Sequence, residues 1–81
     1  MHEFSLAQGL HNQLMDLVDE HRQAKVLKAE IMIGDNAGIV VDSFLFGFDV
    51  LARESGVTRG MELVTRTNSG KDLVLLRVEL Q

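Results

Sequence analysis

Cysteine, proline, tryptophan and tyrosine are all absent from this 81-residue chain. Without cysteine there is no disulfide, no thiol nucleophile and no thiolate metal site, and the chain reads as a cytoplasmic one. The missing Trp and Tyr, the lack of any basic run and a formal net charge of −4 together argue against nucleic acid as a partner. No apolar run approaches the roughly 20 residues needed to span a bilayer, so a membrane partner is not expected. The opening MHEFSLAQ has neither the basic flank nor the continuous apolar stretch of a signal peptide. The absence of proline has no evident cause.

What is present describes one small domain covering residues 1–81. Apolar residues make up 46% and charged residues 25%, an ordinary globular balance. At this size folding buries only about 60–65% of the chain's surface, so the core is small. Residues 5–21 read as an amphipathic helix, with Leu6, Leu10, Leu14, Leu17 and Val18 on one face. Ser5 and Gln8 fit a capping box at its start.

Residues 26–33 read as a strand, Leu27, Ala29, Ile31 and Ile33 on one face and Lys28 and Glu30 on the other. The turn-forming GDNAG at 34–38 interrupts it. Asp42 or Ser43 then suits the N-cap of a second helix with Phe44, Gly47, Phe48 and Leu51 on one face, and Gly56 suits its left-handed terminator. Residues 61–66 and 72–80 read as strands, the second with Val74, Leu76, Val78 and Leu80 on one face. The short connector 67–71 makes a hairpin the simplest link. The predicted architecture is α/β (α+β): two helices on one face of a small three- to four-stranded mixed sheet, with a C-terminal hairpin. The hairpin connector also reads as a hinge for strand exchange, giving a homo-oligomer or strand-swapped dimer.

Most catalytic templates fail on these residues. There is no Gly-x-Ser-x-Gly, no phosphate-cradling glycine loop ending in Lys-Ser or Lys-Thr, and no carboxylate pair at a recognisable spacing. Asp16, Asp19 and Glu20 read as a solvated acidic face. His11 and His21, ten residues apart on one helix, are separated by about 15 Å and cannot share an ion. His2 has a different address. In Met1-His2-Glu3 the α-amine, the deprotonated His2 amide and the imidazole Nδ1 form fused, nearly coplanar chelate rings. Such a set suits Ni(II) or Cu(II) better than tetrahedral Zn(II), with Glu3 able to add an oxygen or accept a hydrogen bond nearby. Spacing alone leaves that chelate and an incidental terminal histidine both open.

MHEFSLAQGL resembles the start of the HypA family of nickel metallochaperones. The likeness continues through AEIMIGDNAGIVVDSFLFGF, GMELV and SGKDLVLLRVEL, so it covers essentially the whole chain. The family carries a zinc-binding domain with two Cys-x-x-Cys pairs between its last two strands. Near residues 67–70 this chain has only a turn, so no zinc is expected. Val41 stands where the family often has proline ahead of the second helix.

The resemblance implies a nickel site formed by Met1, His2 and Glu3. It implies delivery of Ni(II) during [NiFe]-hydrogenase or urease maturation, with a HypB-type GTPase and the hydrogenase large subunit as partners. It also implies an accessory protein, not an enzyme. The alternative is a HypA-like interaction scaffold without working nickel transfer.

Overall fold

The computed structural model describes residues 3–81 in full and residue 2 by its backbone. Its elements run α1 (His2–Glu20), β1 (Val26–Gly34), α2 (Val41–Arg53), β2 (Glu62–Asn68) and β3 (Leu73–Leu80). The strands form one mixed sheet in the order β2-β1-β3, with β1 parallel to β2 and antiparallel to β3. Ala7, Leu10, Leu14 and Val18 of α1 and Phe44, Phe48 and Ala52 of α2 close over Val26, Ala29, Ile31 and Ile33 of β1 as one buried cluster. Two helices on one face of a three-stranded mixed sheet is the architecture that the apolar periodicities predict.

The hairpin is not there. β2 and β3 follow one another in the chain but flank β1, so their connector crosses the end of β1 and does not turn back onto a neighbour. Two strand spacings are about 10 Å, a distance four residues cross without strain. Turn-forming residues at 67–71 signal a reversal, and a reversal serves a crossing as well as a hairpin. The crossing is fixed by backbone hydrogen bonds: Gly34 N–H to Asp72 C=O (2.9 Å), Asp35 N–H to Asn68 C=O (2.8 Å) and Asn36 N–H to Gly70 C=O (2.9 Å). The Asn36 amide adds a bond to Ser69 C=O at 2.8 Å. The connector thus closes within the chain, at the place that the sequence offers as a hinge for strand exchange.

Two irregularities reassign the strand faces. The register shifts by one residue on β1 between Val26 and Lys28, and by one on β3 between Leu75 and Arg77. The extra residues are Leu27 and Leu76, left 43% and 46% exposed. Val26 replaces Leu27 on the core side. On β3 the inward set becomes Leu73 and Leu75 before the bulge and Val78 and Leu80 after it, while Val74 and Leu76 face solvent. A bulge breaks the period of two that alternation assumes.

Helix ends differ too. α1 begins at His2, so Ser5 lies inside its first turn and is not the cap. Contacts of Phe4 and Ala7 with the Gly47 surface of α2 carry the helix past the local signal. It closes in a Schellman motif, Gln23 N–H to Val18 C=O and Arg22 N–H to Asp19 C=O, with Arg22 at φ 53°. The N-cap of α2 is Val40, and Asp42 and Ser43 lie in the first turn. The helix ends at Arg53, before Gly56, which is not left-handed. Its last carbonyls are met by side chains: Thr58 Oγ1 donates to Ala52 C=O (3.0 Å) and Arg59 Nε to Arg53 C=O (3.2 Å).

A Cβ on Gly34 would sit 2.3 Å from the Gly70 carbonyl oxygen and 2.8 Å from the Lys71 nitrogen, both backbone atoms. Gly34→Ala should therefore lower unfolding free energy by roughly 3 kcal/mol or more, since neither strand end can yield without losing the crossing. Urea denaturation measures it; a loss under about 1 kcal/mol would mean the crossing is pliable. Arg22→Gly should act oppositely, raising stability by up to about 1 kcal/mol by relieving a left-handed non-glycine residue.

Candidate metal centre

Of the predicted donors, Met1 and the side chain of His2 lie outside the described residues. The backbone places His2 as the first residue of α1, where an amide nitrogen has no intrahelical acceptor. Glu3 follows in the same turn. Its Oε2 accepts the Val40 N–H at 3.1 Å, thirty-seven residues away in sequence. Val40 has no side-chain cap of its own. A carboxylate from α1 thus does for α2 what the glutamate of a capping box does for its own helix, and it sits at the positive end of the α2 dipole. The carboxylate predicted as a metal oxygen holds the two helix starts together.

Phe4, one residue on, extends the fastening. Its Cδ1 lies 3.1 Å from where a Cβ of Gly47 would stand, and the Ala7 methyl lies 3.7 Å from the same point. Gly47 is therefore the notch that lets the start of α1 approach α2. Sequence periodicity finds Gly47 on the buried face of α2, but neither its partner nor the Glu3–Val40 bond has a local signal.

His11 packs against its neighbours, and His21 stands apart from it at the end of α1. His11 Nε2 lies 2.9 Å from Thr58 Oγ1, and its ring meets Phe48 edge-on at 6.1 Å. The single Thr58 hydroxyl proton goes to Ala52 C=O, so the imidazole Nε2–H donates to Thr58. Thr58 is fully buried, and through it α1 is joined to the closing turn of α2. His21 follows the last residue of α1, exposed. Among the described residues no three His, Asp or Glu side chains converge as a metal site. No helix among the described residues is long and apolar enough to cross a membrane.

Carboxylates are distributed unevenly. The two helices carry Glu3, Asp16, Asp19, Glu20, Asp42 and Asp49 against Arg53 alone, a net of −5 on a chain whose total is −4. The outer face of the sheet is balanced. Lys28, Arg66 and Arg77 interleave there with Glu30, Glu62 and Glu79 in the paired register. Arg66 bonds Glu30 directly and holds its carboxyl below the ordinary range.

The result is a small two-layer α/β domain whose first helical turn, opening with His2 and Glu3, is fastened to the start of its second helix. The chain belongs to the HypA family: residues 1–73 match the family model described as "Hydrogenase/urease nickel incorporation, metallochaperone, hypA". It is 41% identical over 64 residues to the hydrogenase maturation factor HypA of Caldanaerobacter subterraneus subsp. tengcongensis, covering 79% of this chain and 55% of that protein. It is 35% identical over 63 residues to the same factor of Beijerinckia indica, covering 78% and 55%. The chain thus spans about half the length of the curated relatives it matches. Its fold is that of the solution structure of the Ni metallochaperone HypA from Helicobacter pylori, with a TM-score of 0.76 over 98% of this chain and 92% of that one at 13% identity.

Burial disfavours the imidazolium form of His11 and pulls its pKa below the ordinary 6.5. As pH falls below that value the unfolded chain takes up a proton before the folded one does. Stability is therefore whole above about 6.5, declines below it, and levels off once the lower folded pKa is passed. His11→Gln, which keeps a donor near the Nε2 position, should remove this component from a stability-against-pH series. Thr58→Val should cost about 1–3 kcal/mol at neutral pH by leaving His11 Nε2 and Ala52 C=O without partners.

Proposed function

We propose that this chain is a nickel-carrying domain. It takes up Ni(II) through the Met1 α-amine, the His2 amide nitrogen and the His2 imidazole, and releases it to a maturing enzyme. The observation that carries the reading is the sequence Met1-His2-Glu3, whose His2 and Glu3 open α1, in a chain of the HypA family. The chemistry is coordination only. No substrate bond is made or broken, so the domain acts as an accessory factor and not as an enzyme.

The donor types suit the cargo. Amine, amidate and imidazole nitrogens in one plane favour a d⁸ ion in its low-spin form. The backbone supports such a chelate, because the His2 amide stands outside the helical hydrogen-bond ladder. Glu3, engaged by Val40, acts from beside the chelate by fixing where the first turn lies. The positive end of the α1 dipole opposes a cation there, and the adjacent Glu3 offsets it. Zinc has no comparable set, since there is no cysteine.

The destination follows the family: [NiFe]-hydrogenase maturation, or urease, in the cytoplasm. A HypB-type GTPase and the hydrogenase large subunit are the partners this assigns. No residue that would supply a nickel nitrogen lies in the connector 69–72, so a short connector there leaves uptake intact.

Nickel titration of the chain with a free Met1 amine, followed optically, tests the reading. The expected result is one equivalent bound with a weak yellow-orange band of low-spin nickel and release of protons. Affinity should fall as pH falls through the histidine range near 6.5, because protons compete for the same donors. His2→Ala or residues added ahead of Met1 should abolish the band, and His21→Ala should leave it. Glu3→Ala should weaken binding less, keeping the spectrum. Equal binding with the same band by the extended chain would move the site elsewhere, and the domain would then be a scaffold without nickel transfer.

A further inference from the structure

We propose that the groove between the first turn of α1 and the outer flank of α2 seats the protein with which this domain exchanges its metal. The occupant is a helix with an apolar face edged by lysine or arginine. The proposal rests on the nickel reading for what is exchanged, but the docking itself does not need metal.

The groove has a volume of about 630 Å³ and is lined by Phe4, Asp42, Ser43, Phe46, Gly47 and Val50. That is enough to take several apolar side chains. α2 carries three phenylalanines within five residues. Phe44 and Phe48 are buried at 0% and 3% exposure, whereas Phe46 stands 72% exposed. The core does not use Phe46. Val50, one turn further along α2, is exposed as well and lines the same groove, so the aromatic belongs to a patch and is not isolated. Gly47 forms the floor, since a side chain there would press against the Phe4 ring.

Charge selects the occupant. Asp42 is the charged residue in the lining, and Glu3 and Asp49 stand next in sequence to the lining residues Phe4 and Val50, against Arg53 as the one guanidinium of α2. That guanidinium, Arg53, is paired with Asp49 at 2.6 Å. A second copy presenting the same layer would meet like charge, and an anionic lipid surface would be repelled. A basic rim around an apolar face complements the groove in both respects, as in the helix-in-groove mode of recognition. Position completes the argument: Phe4 lies two residues from His2 in the chain, so an occupant here is held beside the first turn of α1.

The test uses metal-free protein and a fluorescent synthetic helix of about five turns with a leucine face and lysine edges. Two controls go with it, the same helix edged with glutamate and a scrambled sequence of the first. Anisotropy should show the lysine-edged helix binding at least about tenfold more tightly than either control, and weakening with added salt. Phe46→Asp and Val50→Asp should each weaken it about tenfold with unchanged circular dichroism. The added carboxylate would strengthen a purely ionic contact, so a loss isolates the apolar part. Equal binding of the scrambled peptide, no effect of Phe46→Asp, or a dimer in light scattering that Phe46→Asp abolishes would each overturn the proposal. Nickel affinity of Phe46→Asp should equal that of the parent. Peptide binding without nickel binding defeats the nickel reading alone, and nickel binding without peptide binding defeats the docking alone.

Discussion

The backbone crossing at Gly34 is the constraint from which the rest of the arrangement follows. β1 lies between two strands that the chain visits in succession, so something must pass over its end. The passage works because Gly34 presents no side chain to the Gly70 carbonyl. The same crossing orders the segment that follows β1. Asp35 donates to Asn68 at the end of β2, Asn36 to Gly70 of the connector, and Ala37 N–H returns to Gly34 C=O at 3.1 Å. A few residues later comes Val40, whose amide meets Glu3. The crossing therefore fixes a loop, the loop fixes the entry to α2, and that entry holds the first turn of α1. At the opposite end, Ala24 and Lys25 donate to the Gln81 carbonyl, and Gln81 N–H donates to Lys25 C=O. Both ends of β1 are thus tied to the segments flanking β3.

Elements were legible in the sequence wherever one face is apolar at a constant period. Leu10, Leu14 and Val18 mark α1, Phe44, Gly47 and Phe48 mark α2, and Ala29, Ile31 and Ile33 mark β1, each on the face the structure buries. Periodicity fails where the period itself changes. The bulges at Leu27 and Leu76 leave no local trace, because leucine suits either face and the extra residue is defined only against the partner strand. Pairing order was equally hidden. Thr67 to Lys71 are turn formers, and turn chemistry says that the chain reverses without saying which strand it meets next. The caps failed for a related reason: Ser5 and Gly56 are good local signals, overridden by Phe4 against Gly47 and by Thr58 against Ala52.

At the candidate metal centre the sequence supplied donor types and the fold supplied their attachment. Met1-His2-Glu3 reads as a chelate because its donors are adjacent in the chain. Glu3 reads differently in the fold, since the partner of its carboxylate lies on another element. The short connector is compatible with this division of labour. It closes the sheet with its own hydrogen bonds, on the side of β1 where the loop toward α2 begins.

Charge segregation is the remaining link between the fold and the cargo proposed for it. A cation held at a helix N-terminus meets the positive end of the dipole, a cost of roughly 0.3–1 kcal/mol at an exposed site. The domain concentrates its carboxylates in the layer that contains that terminus and keeps the outer sheet face neutral. The field of that layer draws cations to the helices and not to the sheet. On the nickel reading, strength of binding belongs to the nitrogen donors, and the carboxylates of the helical layer act on approach.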